Sequence, residues 1–527
     1  MTADPIPPSL ASGTSQDRSL TTNVQQRDCA SVFADLAAQQ PDHIAVIDGE
    51  MITTYGELQR MVEGRADALT RAGLAAGHRV ALVAESSTAY LATALAVWRV
   101  GGVLVTIYPS SGGEELRYSL QNSDPALLVF GDNIDRSVLT GPLAAWPVTD
   151  LDQFDPTWVR QDTIESPTGL REPLSLITFS SGTTSRPKAI MVSANTVLNV
   201  AVTYGEVWHV GPHDRGIVCL PMAWLYGLAS TSLTFLLSGG TVVVLRRARP
   251  NLIADAIMRH GATILAGVVT TFTKLTEYAV ANDLGRGAFA SLRLCISGGE
   301  PRNDLAFDRW TKLTGVAVLD SYCSSECLPF VTYDPLTDPV PVPGSAGKLV
   351  PRSQMRVVDA DGNDVAPGEV GEALAAGAGL MLGYWRNDAL TSQVMTPDGW
   401  YKTKDLVQVD DDGYVYVVGR LSDLIIRGGT NISPAEVERV LQAHPNVSRA
   451  AVVGLPDDIY GQRVVAAIVA SADLDIADLE TYARANLTNF KVPSAFVVVD
   501  SLPVSGTTGK VDRRALAEAL RHTYVHT

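Results

Sequence analysis

A stretch rich in hydroxyl side chains, residues 178–188, carries the first chemical signal in this sequence. It reads Thr-Phe-Ser-Ser-Gly-Thr-Thr-Ser-Arg-Pro-Lys and holds six hydroxyls around one glycine. Backbone N–H groups, hydroxyls and a cation in one short loop are the donors that a polyphosphate needs. The stretch lacks the G-x-x-x-x-G-K-[ST] spacing of the P-loop. We therefore predict a phosphate-binding loop of a different kind.

The elements around such groups must hold them in place, and hydrophobic patterns predict those elements. A strand-like run (residues 174–179) leads into the hydroxyl-rich loop, and a helix-like stretch begins at Ser193. Another apolar run, residues 292–296, leads into a glycine pair, Gly298 and Gly299. Paired glycines after a strand let the backbone approach a flat ligand closely. The sequence therefore indicates a second ligand-binding edge.

Strand-like runs alternate with helical stretches from about residue 29 to residue 418, which is typical of an α/β fold. Examples of the alternation are residues 79–83, 87–99 and 103–107, and then residues 240–245, 251–260 and 263–267. An acidic hairpin is predicted at residues 410–413. After it comes a small α+β unit, with helices at 434–443 and 476–487 and strands at 448–454, 463–469 and 494–499.

We predict two domains and a tail. Residues 1–27, rich in Ser, Thr, Pro, Gln and Asp, are predicted to form a disordered tail without a signal peptide. Residues 28–420 form a large N-terminal domain of helix-covered β-sheets, and residues 421–527 a small C-terminal α+β domain. The apolar stretch 89–108 is interrupted by Arg99 and two glycines, so it predicts a buried helix and strand, not a membrane span.

Composition excludes several function classes. The net charge of −16, with no dense Lys/Arg stripe, argues against a non-specific nucleic-acid binder. Apolar content of 46% with 19% charged residues is ordinary for a globular enzyme. The five cysteines are scattered and form no C-x-x-C pair, which indicates a reduced, cytoplasmic protein with no disulfide framework and no zinc site.

Five segments together resemble the signatures of the adenylate-forming (ANL) superfamily, in its acyl-CoA synthetase or AMP-dependent ligase branch. The hydroxyl-rich loop is similar to T-S-G-T-T-G-x-P-K-G. Residues 320–326 (D-S-Y-C-S-S-E) resemble Y-G-x-T-E, and residues 401–405 (Y-K-T-K-D) resemble Y-x-T-G-D. Residues 419–429 match G-R-x-x-D-x-I-x-x-x-G, and residues 503–513 match P-x-x-x-x-G-K-x-x-R. The five occur in the family's order along nearly the whole chain.

The resemblance implies a set of site residues and three small-molecule partners: ATP, Mg²⁺ and coenzyme A. The implied catalytic residues are Lys510, Glu326 and Thr184, with Glu326 as the Mg²⁺ ligand. The implied phosphate loop consists of Ser180, Ser181, Gly182, Thr183, Thr184 and Lys188. The implied nucleotide-binding residues are Gly298, Gly299, Glu300, Tyr322, Ser325, Asp405 and Arg420. The implied hinge is Ser422, and the implied CoA channel is formed by Arg427, Gly428 and Gly429.

In the implied reaction, Lys510 bridges the substrate carboxylate and the α-phosphate of ATP, and an acyl adenylate and pyrophosphate form. The C-terminal domain then swings at Ser422, and a thiol attacks the acyl carbonyl. Tyr322 is expected to stack on adenine, and Asp405 to accept hydrogen bonds from both ribose hydroxyls, since its two oxygens can meet two donors.

The segment 219–228 (C-L-P-M-A-W-L-Y-G-L) bears on the identity of the acid. It has no carboxylate where amino-acid adenylation domains hold the substrate ammonium, and it resembles P-L-x-H-x-x-G-L of acyl- and aryl-CoA synthetases, with Trp224 in place of His. We therefore expect a hydrophobic acid, either fatty, aromatic or polycyclic, without an α-amino group. The predicted acyl pocket comprises Trp224, Val269, Thr270, Ser297, Gly298 and Cys323.

Four positions depart from the family pattern, and they keep alternatives open. Side chains stand where glycine is usual at Ser185, Ala189, Cys323 and Lys404. The chain is therefore a complete acyl-CoA synthetase, an enzyme of this fold that only makes the thioester from a supplied acyl adenylate, or a non-catalytic adenylate-binding protein. Retention of Lys510 disfavours the last. A carrier protein as acceptor, an upstream adenylating enzyme as partner and a homodimer also stay open.

Overall fold

The computed structural model describes residues 27–165, 167–180, 186–470, 473–504 and 511–524. Its strands β1–β25 are Ile44–Asp48, Met51–Thr54, Arg79–Val83, Val103–Ile107, Leu127–Phe130, Val148–Asp150, Leu174–Ser180, Lys188–Ser193, Arg215–Val218, Thr241–Val244, Ile264–Gly267, Leu294–Gly298, Val318–Ser324, Cys327–Thr332, Lys348–Leu349, Ser353–Val358, Val370–Gly377, Gly383–Tyr384, Tyr401–Val409, Val415–Arg420, Ile425–Arg427, Thr430–Ile432, Val447–Asp457, Gly461–Ala470 and Ala495–Val498. Its helices α1–α13 are Cys29–Gln39, Tyr55–Arg71, Thr88–Arg99, Gly113–Ser123, Ala194–Val207, Thr234–Leu237, Pro250–His260, Val269–Ala281, Asp304–Thr314, Asp388–Val394, Pro434–Gln442, Ile476–Asn486 and Arg513–Tyr524.

Two large sheets dominate the N-terminal domain. One has nine strands in the order β15-β14-β13-β12-β11-β9-β10-β1-β2, and the other seven in the order β18-β8-β7-β4-β3-β5-β6. Their central strands run parallel. Strands such as Val103–Ile107 are buried throughout, as expected where helices cover both faces of a parallel sheet. In such sheets, ligands bind beyond the carboxyl ends of the strands.

The remaining sheets are smaller. A four-stranded antiparallel sheet (β16-β17-β19-β20) completes the N-terminal domain, and the acidic hairpin joins its strands β19 and β20. The C-terminal part holds the two-stranded ribbon β21-β22, the three-stranded sheet β23-β24-β25 and the helices α11–α13. The predicted fold class, α/β with a large N-terminal and a small C-terminal α+β domain, is confirmed.

The predicted elements that frame the site are also confirmed. Strand β3 and helix α3 occupy nearly the predicted residues, and Ser87 caps α3 by accepting a hydrogen bond from the Tyr90 N–H (3.1 Å). Residues 88–98 are buried as a helix, as the interrupted apolar stretch predicted. Among the described residues, no helix has the length and apolarity needed to span a bilayer. The predicted tail lies outside the described residues except for Arg27, and the boundary at residue 420 stays a prediction.

The hydroxyl-rich loop connects two antiparallel strands, which the sequence did not predict. Strand β7 enters the loop as expected, but β8 (Lys188–Ser193) returns beside it before the predicted helix begins. Ser193 then caps α5, since its Oγ accepts a hydrogen bond from the Thr196 N–H (3.0 Å). The described ends of the loop thus belong to one antiparallel strand pair, β7 and β8, which we call the phosphate hairpin.

Candidate active site

The phosphate hairpin sits at the carboxyl edge of the seven-stranded sheet. Its last paired residues are Ser180 and Lys188, directly across from each other. The Lys188 Nζ lies 5.5 Å from the centroid of the Tyr384 ring, on strand β18 next to β8. Residues 181–185, which include the predicted Ser181, Gly182, Thr183 and Thr184 as well as Ser185, lie outside the described part of the chain. The two ends of the predicted loop are therefore fixed by strand pairing.

Glu326 lies in the two-residue turn between β13 and β14, together with Ser325. The Glu326 side chain is buried, and its Oε1 accepts a hydrogen bond from the Tyr384 hydroxyl (2.8 Å). Burial, and next the Glu326 charge, raise the pKa of the Tyr384 phenol, so it remains a donor at neutral pH. Tyr384 thus touches both the cation of the phosphate hairpin and the predicted Mg²⁺ ligand.

The predicted ribose-binding carboxylate, Asp405, joins two sheets. Its Oδ2 accepts a hydrogen bond from the Tyr322 hydroxyl and its Oδ1 one from the Arg420 Nε, both at 2.9 Å. Asp405 and Arg420 face each other across β19 and β20. Burial, and next the Asp405 charge, raise the pKa of the Tyr322 phenol well above its usual range. The structure therefore brings together three of the residues that the sequence assigned to nucleotide binding.

Lys404, beside Asp405, keeps a backbone conformation that favours glycine. Its φ is +61°, its side chain is exposed, and its N–H donates to the Glu372 carboxylate (3.1 Å). A left-handed conformation strains a residue with a Cβ by roughly 1–2 kcal/mol. The departure from glycine at this position therefore strains the backbone and directs the added side chain towards solvent.

Lys404→Gly is expected to be more stable than Lys404→Ala by about 1 kcal/mol, because only glycine adopts φ near +60° without a Cβ penalty. Urea unfolding of both variants measures the difference. At a position with negative φ, the alanine variant would be the more stable of the two. The sign of the difference in stability therefore shows whether the backbone at residue 404 is strained. An alanine variant at least as stable as the glycine variant would contradict this backbone strain.

The glycine pair lies at the end of β12 and is flanked by polar contacts. The backbone N–H and hydroxyl of Thr270 both donate to the Glu300 carboxylate (2.8 and 2.9 Å). A Cβ on Gly298 would lie 3.1 Å from the Ser321 carbonyl oxygen and 3.5 Å from the Tyr226 hydroxyl. Gly298 therefore allows a close approach between β12 and β13 beside the tyrosine.

The predicted acyl-pocket residues occupy more than one place. Cys323 lies near the phenols of Tyr204 and Tyr226, on the same side as Gly298. Val269 instead packs into the apolar core formed with Phe272 and Trp310. Ser297 is fully buried, and its Oγ has no hydrogen-bond partner among the described residues. The residues predicted to line one acyl pocket therefore lie on both faces of β12.

Trp224 closes a narrow cavity between the two large sheets. Its ring stacks on Tyr108, which follows β4, with ring centroids 5.2 Å apart and an interplanar angle of 27°. The cavity beneath, also lined by Phe179, Ser180 and Glu115, has a volume of about 20 Å³. That is room for about one water molecule. A larger ligand therefore requires side chains that line the cavity, Trp224 among them, to move.

A π-helix, Tyr226–Leu233, follows Trp224. Gly227 is indispensable at its start, since an added Cβ would lie 2.1 Å from the Pro221 carbonyl oxygen. The Tyr226 hydroxyl donates to the Gly267 carbonyl oxygen (3.0 Å) at the end of β11. π-helical turns are frequent at functional sites. Tyr226 is the first residue of this one, and Trp224 lies two positions before it.

Asp320 is a buried carboxyl group beside the site. Burial raises its pKa to about 7, although the Arg302 charge and the hydrogen bond from the Ser321 N–H (3.0 Å) act in the opposite direction. Between about pH 4 and pH 7 the folded protein holds a proton that the unfolded chain releases, so the free energy of unfolding falls as pH rises. Charging this group therefore destabilises the fold.

Asp320→Asn is expected to reduce that loss of stability between pH 5 and pH 7, because asparagine does not ionise. Denaturant unfolding of the variant and the wild type at both pH values measures it. Asp308→Asn, which alters an exposed carboxylate on α9, serves as the matched control and is expected to keep the wild-type slope. An equal slope in Asp320→Asn would contradict the raised pKa.

The C-terminal domain contributes the predicted hinge and acceptor residues. Ser422 lies in a 3₁₀ turn directly after β20, and its Oγ donates to the Asp423 carboxylate (2.9 Å). Gly428 and Gly429 form the tip between β21 and β22 with φ of +57° and +80°. Arg427 lies over the Tyr460 ring (5.3 Å). The predicted catalytic Lys510 lies outside the described residues.

Sequence reasoning missed several residues that the fold brings into the site. Tyr384 touches Glu326 across 58 positions of sequence, and Tyr108 meets Trp224 from the other sheet. Tyr108 directly follows β4 and Tyr384 lies in the two-residue strand β18, but no local pattern pairs either tyrosine with its partner. Thr178 was part of the quoted loop, and its Oγ1 accepts a hydrogen bond from the Thr106 hydroxyl (3.1 Å) inside the sheet.

Family models match both domains of the chain. The AMP-binding enzyme model matches residues 33–385, and the AMP-binding enzyme C-terminal domain model matches residues 436–510. The chain belongs to the AMP-binding enzyme family. This is the adenylate-forming superfamily that the sequence signatures indicated.

Individual relatives agree with this assignment over nearly the whole length of this AMP-binding enzyme. A feruloyl-CoA synthase of Amycolatopsis sp is 33% identical over 91% of this chain and 97% of that protein. A long-chain-fatty-acid–CoA ligase of Salmonella typhimurium is 29% identical over 93% and 94%. The crystal structure of ATP-bound MatB from Rhodopseudomonas palustris superposes with a TM-score of 0.84, at 30% identity, over 94% of this chain and 100% of that one. This AMP-binding enzyme is an ATP-dependent, AMP-forming acyl-CoA ligase.

Proposed function

We propose that this ligase activates a hydrophobic carboxylic acid that lacks an α-amino group. It forms the acyl adenylate from ATP and Mg²⁺ and transfers the acyl group to coenzyme A. The observation that carries the proposal is the aromatic stack of Trp224 on Tyr108, at a cavity that Ile107 and Phe179 also line. Aromatic rings supply large apolar contact areas, and a buried substrate charge would need a partner there. The relatives that use feruloyl and long-chain fatty acyl groups support this class of acid.

One carboxylate lines that cavity, and it raises an alternative: a substrate that carries an ammonium group. Glu115, on α4, lines the cavity, with the Ser111 hydroxyl 3.4 Å from its Oε1. If the substrate carried an ammonium group, Glu115 would be its natural partner. Glu115→Gln is therefore expected to leave the choice of acid unchanged. A loss of activity confined to amino acids would favour amino-acid activation instead.

Trp224→Ala is expected to raise the catalytic efficiency for bulky acids relative to short ones by about tenfold or more, because it opens the nearly filled cavity. CoA thioester formation across fatty and aromatic acids of increasing size measures this ratio. Trp158→Ala, which removes an indole that is 49% exposed, is the matched control and keeps the wild-type profile. An unchanged profile in Trp224→Ala would exclude Trp224 from the acyl pocket.

The described residues fit a Mg²⁺ ion bound chiefly through phosphates. They contain no cluster of three or more His, Cys, Asp and Glu side chains able to hold a metal. Glu326 offers a single buried carboxylate, and its Oε2 has no hydrogen bond in the described structure. One carboxylate plus substrate phosphates and waters is the donor set that Mg²⁺ takes in such enzymes. When bound, the ion would neutralise charge on the pyrophosphate that leaves.

The nucleotide would lie between the glycine pair and Tyr322, with its ribose at Asp405. Ribose hydroxyls would replace the Tyr322 and Arg420 groups as partners of the Asp405 oxygens, or share them. Lys188 and the hydroxyls of residues 180–184 would bind the β- and γ-phosphates. Lys510 would place the acid against the α-phosphate, where charge develops in the transition state.

The acceptor would enter at the tip of the β21–β22 ribbon. The Gly428 N–H donates to the Tyr460 carbonyl oxygen (2.8 Å), and a Cβ on Gly429 would meet no atom within 4 Å. A bare backbone beside open space suits a narrow pantetheine chain. Rotation of the C-terminal domain about Ser422 would exchange Lys510 for this tip at the active site. Transfer to a carrier protein and thioester formation from a supplied acyl adenylate are the alternatives.

A further inference from the structure

A second cavity borders the start of β8 and shares no lining residue with the cavity at Trp224. Its volume is about 310 Å³, within the range of small-molecule sites. Helix α4, the start of β8 and the segment from β18 into α10 form its walls. Its lining includes three cations, Arg186, Lys188 and Arg386, and no carboxylate. The cavity is therefore positively charged within a protein whose net charge is −16.

None of the three cations forms an ion pair with a carboxylate of the described residues. Arg186 lies over the Tyr118 ring (5.1 Å) and Lys188 over the Tyr384 ring (5.5 Å), so aromatic faces hold both near the cavity. Three like charges around one cavity repel one another, and an anion between them would remove that repulsion.

The wall that carries Arg386 is held firmly. The Trp385 indole N–H donates to the Asn122 carbonyl oxygen (2.8 Å), and Arg386 reaches the same oxygen at 3.5 Å. Arg386 has a φ of +55°, a conformation that is strained for a residue with a Cβ. The Asn122 Oδ1 is buried without a hydrogen-bond partner among the described residues. Turning that amide over would place its NH₂ group there as a donor for an anion.

We propose that this cavity is a diphosphate site that receives the pyrophosphate released by adenylation, with Arg186 and Arg386 as its binding residues. The inference rests on the proposed function. Lys188 connects the two sites, since it pairs with Ser180 across the phosphate hairpin and lines the cavity. Tyr384, which bonds Glu326, also lines it. A pyrophosphate leaving the predicted Mg²⁺ site would therefore pass directly into a cationic cavity, where guanidinium groups bind phosphate oxygens in pairs.

The test is calorimetric titration of the full chain with magnesium pyrophosphate in the absence of acid and ATP. Replacing both arginines (Arg186→Gln with Arg386→Gln) is expected to weaken binding by about tenfold or more, since charge-assisted hydrogen bonds are lost. Replacing both with lysine keeps the charges and is expected to retain more affinity than the glutamine pair. Arg449→Gln, an exposed arginine on β23, is the control and keeps wild-type binding. Unchanged affinity in the folded glutamine variant would overturn the proposal.

Competition between coenzyme A and pyrophosphate identifies which of these two diphosphate-containing molecules the cavity binds. If the cavity takes pyrophosphate, coenzyme A does not displace it, and the glutamine variant shows weaker product inhibition by pyrophosphate. Displacement by coenzyme A, with the same arginine dependence, would overturn the assignment to pyrophosphate in favour of the nucleotide of coenzyme A. The proposed function fails separately: a chain that adenylates none of the acids but binds pyrophosphate through both arginines refutes that function and leaves this site standing.

Discussion

Lys510→Ala is expected to lower ATP–pyrophosphate exchange by at least about 100-fold, because it removes the cation that stabilises charge on the α-phosphate in the transition state. The same variant is expected to convert a supplied acyl adenylate and coenzyme A into the thioester at close to the wild-type rate. In the domain-alternation account, Lys510 has left the active site when the thiol attacks. Measuring the two half-reactions separately on one preparation tests both statements.

A matched control is available for that experiment. Lys274→Ala removes an exposed lysine on α8 and is expected to leave both half-reactions unchanged. If Lys510→Ala keeps the wild-type exchange rate, the assignment of Lys510 is wrong. If it loses both half-reactions equally while still folded, the lysine serves the whole site, and the alternation of domains loses its support.

Glu326→Gln is expected to lower adenylation by about 100-fold, equivalent to ~2.7 kcal/mol, and to raise the Mg²⁺ concentration needed for half-maximal exchange. Glutamine keeps the size of the side chain and an oxygen that can accept the Tyr384 hydrogen bond, so only the negative charge is lost. Exchange measured across a range of Mg²⁺ concentrations separates weaker metal binding from a slower chemical step.

Tyr384→Phe separates the role of the charge from the role of the hydrogen bond. It leaves the Glu326 carboxylate in place and removes only the donor to Oε1. We expect it to lower exchange by about tenfold, the lower end of the range for a hydrogen bond to a charged group, because the carboxylate itself remains. A Glu326→Gln enzyme with a wild-type Mg²⁺ requirement would show that Glu326 is not the metal ligand.

Much of the fold was predictable, because local patterns determine it. The fully buried run Val103–Ile107 and the capped helix Thr88–Arg99 follow from hydrophobic periodicity and from Ser87. The three-stranded C-terminal sheet and helices α11 and α12 also lie where the alternation of strands and helices placed them, whereas α13 was not predicted. Glycine-rich and acidic turns marked the hairpin at residues 410–413 equally well.

The parts that were missed depend on contacts between distant segments. Strand β8 follows the hydroxyl-rich loop immediately, and its pairing with β7 is a contact within the sheet that its own sequence does not specify. The π-helix after Trp224 has no distinguishing composition, since it is defined by its hydrogen bonds. The meeting of Tyr384 with Glu326, and of Tyr108 with Trp224, requires the two sheets to be already in place.

The candidate site illustrates the same division. The family signatures named Asp405, Arg420 and Tyr322 from separate motifs, and the structure joins all three by hydrogen bonds. Motif residues that share a ligand need not touch, so the signatures alone did not predict these contacts. They did not predict the backbone conformation of Lys404 either. Its φ lies in the left-handed region that favours glycine, although the residue is a lysine.

The most direct test of the central claim is ATP–pyrophosphate exchange by the wild-type chain across fatty, aromatic and polycyclic acids, with amino acids included for contrast. The account predicts exchange with at least one hydrophobic acid and none with amino acids. Exchange with amino acids alone would contradict the proposed acid. If the folded protein shows no exchange with any of these acids but forms the thioester from a supplied acyl adenylate, adenylation is contradicted. That result would establish the thioester-forming alternative.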